Sequence, residues 1–154
     1  MILENENTIR KFENTDYFGY LFHVSYDGLM FDSFDENPDM ISVKSKFREL
    51  LESNNIKFYK GIQQAGRTDK DVSASNNILY INSKQDIKLS GLKNFKTDGL
   101  TITKIEKTMP FLELPSLIKS RHYVYKYPTD KIANTKDEIN KICESLSGEK
   151  NFKK

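Results

Sequence analysis

The chain has 154 residues, the size of one ordinary domain or of half a two-domain enzyme. With 37% hydrophobic and 30% charged residues it can bury a real but lean core, and no apolar run approaches the roughly 18 residues of a membrane span. The single cysteine, Cys143, excludes an internal disulfide and points to a reducing, cytoplasmic setting, while two His and one Cys far apart exclude the common zinc-site spacings.

The net charge of +2 hides an asymmetry: residues 1–43 carry 2 basic and 9 acidic side chains, residues 44–154 carry 22 and 13. A basic bulk behind an acidic N-terminal segment fits either a face for polyanions or a solvated, Lys-rich surface. The acidic, Asn-rich start is neither a secretory signal nor an Arg-rich transit peptide.

Residues 1–16 read as a polar, frayed segment, and residues 17–154 as one domain. Phe18, Tyr20, Phe22, Val24 and Tyr26 are apolar at every second position, the period of a half-buried strand that stops at the turn pair Asp27-Gly28. Ser42 reads as the N-cap of a helix with Val43, Phe47, Leu50 and Leu51 on one face, ended by Asn54-Asn55. Residues 56–63 predict a second strand, 64–77 a polar loop, 78–82 a third strand, 86–96 a short helix, and 100–108 a fourth strand with Leu100, Ile102 and Lys104 on one face. Pro110 and Pro115 mark a connector. Residues 121–127 predict a fifth strand with Tyr123, Tyr125 and Tyr127 on one face. Thr135 and Glu138 form a capping box for a last helix bearing Ile139, Ile142, Cys143 and Leu146, and Gly148 stops it. This order predicts an α+β, ferredoxin-like (RRM-like) domain: an antiparallel sheet with helices packed on one face.

Residues 64–77 are nearly free of large apolar side chains, and loops of that length are often functional. Within them Gly66 permits a tight turn, and Arg67 and Asp69 place a cation beside a carboxylate. Taken alone, Asp69 reads first as a turn cap with Arg67 as a surface ion pair, and only second as a cleft nucleophile or base. His23 and His122 have no evident partner.

Four stretches resemble the TruA-type tRNA pseudouridine synthases, in the family's order: Tyr26-Asp27-Gly28 with Phe31 and Phe34; the loop Gly66-Arg67-Thr68-Asp69-Lys70-x-Val72-Ser73-Ala74; Arg121-x-Tyr123-x-Tyr125; and Leu146-x-Gly148-x-x-x-Phe152. The Val-Ser-Ala form of the loop is similar to the archaeal and eukaryotic branch. The resemblance implies half of a two-lobed synthase fold, and a tRNA substrate modified in the anticodon stem-loop at about positions 38 to 40, bound through backbone and shape. It assigns Asp69 as the residue that attacks the target nucleoside. Arg67 enters the space left by the flipped base and pairs with that Asp, and Tyr123 stacks on the base. Arg121 holds phosphate or orients the loop, and Asp27 shapes the turn. No cofactor, metal or membrane is implied.

The sequence departs from the family pattern in three ways. Asp71 stands where the loop has Gly. Asp32 and Asp35 appear, and Gly and Gln are lost, in the stretch after the first strand. A full-length member also continues for about as long again, with a second half that walls the cleft. The Phe-Lys-Lys ending inside the last motif reads as a cut. The chain is therefore expected to be a fragment, a degenerate RNA-binding relative, or one part of an enzyme completed by a homodimer partner or a complementary C-terminal half.

Overall fold

The computed structural model describes residues 15–151. It divides into two units, residues 1–121 and 122–154. The expected frayed segment lies outside the described residues except for Thr15 and Asp16, and so does Phe152.

In the first unit the alternating stretch forms strand β1 (Phe18–Tyr26). Tyr20, Phe22, Val24 and Tyr26 are buried on one face, as their period of two dictates. Helix α1 (Val43–Ser53) begins at Ser42, whose side chain accepts from the Ser45 amide while the Ser45 hydroxyl accepts from the Ser42 amide. Its apolar stripe, Val43, Phe47, Leu50 and Leu51, packs on the buried face of β1, with the Phe47 ring edge-on to Phe22 at 5.1 Å.

Strands β2 (Tyr59–Gln64), β3 (Ala74–Ser83), β4 (Lys96–Thr97) and β5 (Leu100–Thr108) complete an antiparallel sheet in the order β2-β3-β1-β5-β4. Without the short β4 this is the strand order of a ferredoxin-like sheet, with the central pair formed by β1 and β3. The fold class read from the sequence is the observed one.

Several local expectations differ. β3 begins at Ala74, four residues early, because Ala74 and Asn77 pair with Tyr26 and Val24 on β1. Cross-strand pairing thereby overrides the weak strand propensity of Asn and Ser. The loop shrinks to residues 65–73.

The helix expected over 86–96 is a single 3-10 turn at Leu89–Gly91, in keeping with Ser90-Gly91 as poor helix formers. Asp98-Gly99 makes a two-residue hairpin between β4 and β5, with Gly99 at φ +79°. On β5 a bulge opposite His23/Val24 changes the alternation, so Ile105, not Lys104, follows Ile102 toward the core.

After β5 the connector crosses the sheet's other face. There Leu112 and Leu114, the latter opening the short helix α2 (Leu114–Leu117), bury Tyr80 in a second small core. The Gln63 amide fastens the connector, donating to the Leu112 carbonyl (2.7 Å) and accepting from the Leu114 amide (2.8 Å). The Tyr80 hydroxyl accepts from the Leu112 amide, and burial pushes its pKa up to about 12.

The fifth strand expected at 121–127 is absent: this stretch has no regular secondary structure. A strand exists only through a ladder to a neighbour, and no described residue supplies one. In the second unit the capping box is present, with the Thr135 and Glu138 side chains satisfying each other's amides at the start of α3 (Lys136–Leu146). None of its side chains is buried.

Candidate functional site

The loop 65–73 hangs from the end of the sheet where β2 leaves and β3 returns, next to the end of β1. Polar groups from the strands and from the turn after β1 hold both of its ends. The Ala65 amide donates to the Ile78 carbonyl (2.8 Å), and the Arg121 guanidinium donates to the Ala65 carbonyl from Nε (3.0 Å) and Nη2 (2.5 Å). The Asn77 side-chain amide donates to the Gly66 carbonyl (2.8 Å) and to the Tyr26 hydroxyl oxygen (3.2 Å). The phenol and the Thr68 hydroxyl lie 2.9 Å apart.

At the far end the Gly28 amide donates to Ser73 Oγ (2.9 Å), and Ser73 Oγ donates to Asp27 Oδ1 (3.3 Å). Asp27 also accepts from the Leu29 amide (3.1 Å), so its role is to shape the turn, as expected from the sequence. The turn and the loop touch main chain to main chain at Gly28. A β-carbon there would lie 2.4 Å from the Val72 carbonyl carbon and 2.6 Å from that of Asp71. Only glycine permits this approach.

Asp69 sits on the outward part of this clamped loop and its side chain is exposed. Among the described residues its carboxylate caps no turn; its backbone carbonyl accepts from the Val72 amide (3.2 Å). With Thr68, Asp71 and Val72 it edges a small hollow whose other side is Phe31, Ser33 and Phe34. Phe31 and Phe34 are buried, each edge-on to Tyr26 at 6.2 Å, so the aromatic pair after β1 supports the loop from beneath.

Arg67 is exposed, and its guanidinium lies 3.1 Å from Asp35, not against Asp69. Asp35 also pairs with Lys44 at 2.7 Å. Burial opposes ionisation of Asp35, but the hydrogen bonds and charges of Lys44 and Arg67 outweigh it and hold its carboxyl below the usual range. Asp32 is occupied structurally, accepting from the Ile41 amide at 3.0 Å. Both added acids are therefore engaged with protein groups. Asp71 adopts φ +64°, in the left-handed region that favours glycine.

Arg121 lies against the start of the loop, joined to it through the Ala65 carbonyl. Tyr123 belongs to the second unit, where its ring is 58% exposed, with Tyr125 and Tyr127 more so. Sequence reasoning passed over Asn77, Ser73 and Thr68 as loop anchors. The signal available was a run of small polar side chains, each able to satisfy backbone groups.

His23 does have partners: Nδ1 lies 3.1 Å from Asn76 Oδ1 and Nε2 lies 3.2 Å from Glu106 Oε2. Among the described residues no cluster of three or more His, Cys, Asp or Glu is placed to hold a metal ion, and no helix is long and apolar enough to cross a membrane.

No family model matches the chain. Among curated proteins it is 40% identical over 65 residues to tRNA pseudouridine synthase A of Picrophilus torridus, covering 42% of this chain and 25% of that protein. It is 31% identical over 109 residues to the protein of the same name from Borrelia duttonii, covering 68% and 44%. To that of Pyrococcus abyssi it is 24% identical over 136 residues, covering 85% and 49%. The chain thus spans half or less of the length of these relatives.

Proposed function

We propose that this chain, a member of the TruA-type tRNA pseudouridine synthase family, is the Asp-bearing half of an enzyme that isomerises uridine to pseudouridine in the anticodon stem-loop of tRNA, at about positions 38 to 40. The observation that carries the reading is the loop: nine residues clamped at both ends by side chains and main chain, presenting the Asp69 carboxylate outward without a capping duty. Rigid ends and an uncommitted carboxylate are what a positioned nucleophile needs.

In this reading Asp69 attacks the target nucleoside once its base has left the stack. The C1′–N1 bond breaks, the base rotates, C1′ bonds to C5, and the bond from Asp69 to the nucleoside breaks to return the free carboxylate. The proton on C5 is lost and N1 gains one, so the product is an isomer and no redox partner enters. Arg67 exchanges its Asp35 partner for the gap in the RNA stack, and Tyr123 supplies a face for the uracil. Arg121 is a positioning residue, acting through the Ala65 carbonyl.

An exposed carboxylate works in a high dielectric, where its electrostatic interactions are weak. Full activity therefore requires a second wall, from a homodimer partner or a complementary C-terminal half. The test is release of tritium from unmodified tRNA carrying [5-3H]uridine, with this chain alone and with the C-terminal half of a relative. Release with the pair, lost in Asp69→Asn, is the expected result. Release that persists in Asp69→Asn refutes the assignment.

A further inference from the structure

The edge of the sheet has a second hollow, at the opposite end from Asp69. β1 spans nine residues, about 25 Å, between Tyr26 at the loop and the aromatic cluster beside Tyr17. Strand β2 is irregular here. Tyr59 pairs with Asn82 and Gln63 with Tyr80, so three β2 residues face the single β3 residue Ile81. The extra length is a bulge in which Lys60 takes φ +63°. A lysine held in the left-handed region on an edge strand is a strained feature of the kind that accompanies functional sites.

The bulge opens a hollow between Lys60-Gly61 and the connector residues Phe111-Leu112, with Asn82 beneath. Asn82 Oδ1 accepts from the Phe111 amide (2.6 Å) and the Tyr80 hydroxyl (2.9 Å). Its side-chain NH2 has no partner among the described residues, although the residue is only 4% exposed, and it is not sealed from solvent. A nearly buried amide donor thus faces the hollow unused.

Phe111 and Lys60 line the hollow, and an aromatic cluster backs Phe111, with Lys84 beside it paired to Asp16. Phe111 packs with Tyr17 and Tyr59 at centroid distances of 5.6 and 6.2 Å, and the ammonium groups of Lys60 and Lys84 stand 5.5 and 5.0 Å over Tyr59 and Tyr17. A flat apolar wall, an N–H donor and Lys60 at the rim together match an unpaired nucleobase that presents a keto oxygen and carries its phosphate outside.

We propose that this hollow is a second RNA contact, holding one unstacked base of the bound tRNA remote from the base being isomerised; it rests on the RNA-modifying role proposed above. The experiment is fluorescence anisotropy of a labelled, unmodified tRNA transcript titrated with the full chain over a range of salt. Gly61 suits a blocking substitution, since a β-carbon there meets open space and its φ is not left-handed. Gly61→Glu is expected to weaken binding at least fivefold with an unchanged melting temperature. Lys60→Gln is expected to lower the slope of log affinity against log salt by about 0.7 to 0.9, one phosphate contact. Wild-type binding with neither variant altered overturns the hollow and leaves the Asp69 assignment standing. A wild-type chain that binds no RNA overturns the hollow, while the Asp69 assignment stands or falls on tritium release from the paired halves.

Discussion

The contact at Gly28 converts a sequence feature into a measurable demand. In Gly28→Ala the new methyl carbon would sit 2.4, 2.5 and 2.6 Å from the carbonyl carbon and oxygen of Val72 and the carbonyl carbon of Asp71. Non-bonded carbons rest at about 3.5–4.0 Å, so the turn and the loop must separate by about 1 Å. All three atoms are main chain, and no side chain can rotate away. The separation also stretches the 2.9 Å bond from the Gly28 amide to Ser73 Oγ. Overpacking of this kind costs about 1–3 kcal/mol and a strained hydrogen bond adds about 1 kcal/mol. A loss of about 2 kcal/mol lowers the melting temperature by roughly 8 °C for a unit of this size. Displacing the loop by about 1 Å is worth on the order of 100-fold in turnover where Asp69 must meet its target. Thermal unfolding checks the first number, and tritium release from the completed enzyme the second. The double variant Gly28→Ala, Val72→Ala is expected to recover nothing, because the obstruction is backbone. Unchanged stability in Gly28→Ala, or rescue by the Val72 truncation, would refute the reasoning.

Three further outcomes follow from the same loop and its supports. Asp71→Gly removes a left-handed residue and is expected to be neutral or to stabilise by about 0.5 kcal/mol, whereas Asp71→Ala, lacking the local hydrogen-bonding capacity of Asp, destabilises by about 1 kcal/mol; urea titration reads both. Asp35 has a folded pKa below its ordinary 3.8, so its contribution is complete above that value and is lost as pH falls through the folded pKa. Asp35→Asn should therefore cost about 0.5 kcal/mol at pH 7, a small figure suited to half-exposed ion pairs, and flatten the acid limb of the stability curve below pH 3.8. Arg121→Lys keeps the charge but loses the two-pronged donation to the Ala65 carbonyl; hydrogen exchange at the loop amides should quicken while global stability changes by under about 1 kcal/mol, and turnover should fall without loss of tRNA affinity.

What the sequence disclosed, and what it hid, divides along a physical line. Periodicity carried β1 and α1 because each buries one face against the same core, and burial is what a period of two or of 3.6 records. Ser42 and Thr135 were legible as caps because a cap is a local bargain between side chain and nearby amides. The errors fall where a distant partner decides. β3 extends through Asn76-Asn77 only because β1 offers a ladder, and the bulge opposite His23 exchanges Lys104 for Ile105 in the core. Residues 121–127 alternate as a strand should, yet no described neighbour gives them a ladder. At the site, the pattern around Asp69 was visible as a motif, but the supports were not. Asn77 reaches back eleven residues to Gly66, and Tyr26 reaches forward forty-two to Thr68. Such pairings leave no spacing in the chain.

The three departures from the family pattern weigh less toward a degenerate relative once their side chains are located. An acid inserted into an RNA path repels phosphate only if its charge is free. Asp35 lies between Lys44 and Arg67, which oppose its charge, and Asp32 is held by the Ile41 amide in the turn after β1. The pairing of Arg67 with Asp35 also gives the arginine a resting partner, which under the proposed function it would leave to follow a flipped base. Asp71 keeps the loop's left-handed residue at a strain of about 1 kcal/mol or less, since Asp tolerates that region better than most side chains. A chain that had lost its chemistry would be under no demand to hold a strained backbone beside an uncommitted carboxylate. The discriminating comparison is Asp71→Gly in the completed enzyme. If the left-handed residue serves to place Asp69, glycine should retain turnover within about threefold, while Asp71→Val, which resists positive φ, should lose ten- to a hundredfold at similar RNA affinity. Equal turnover in all three would detach the loop geometry from the reaction.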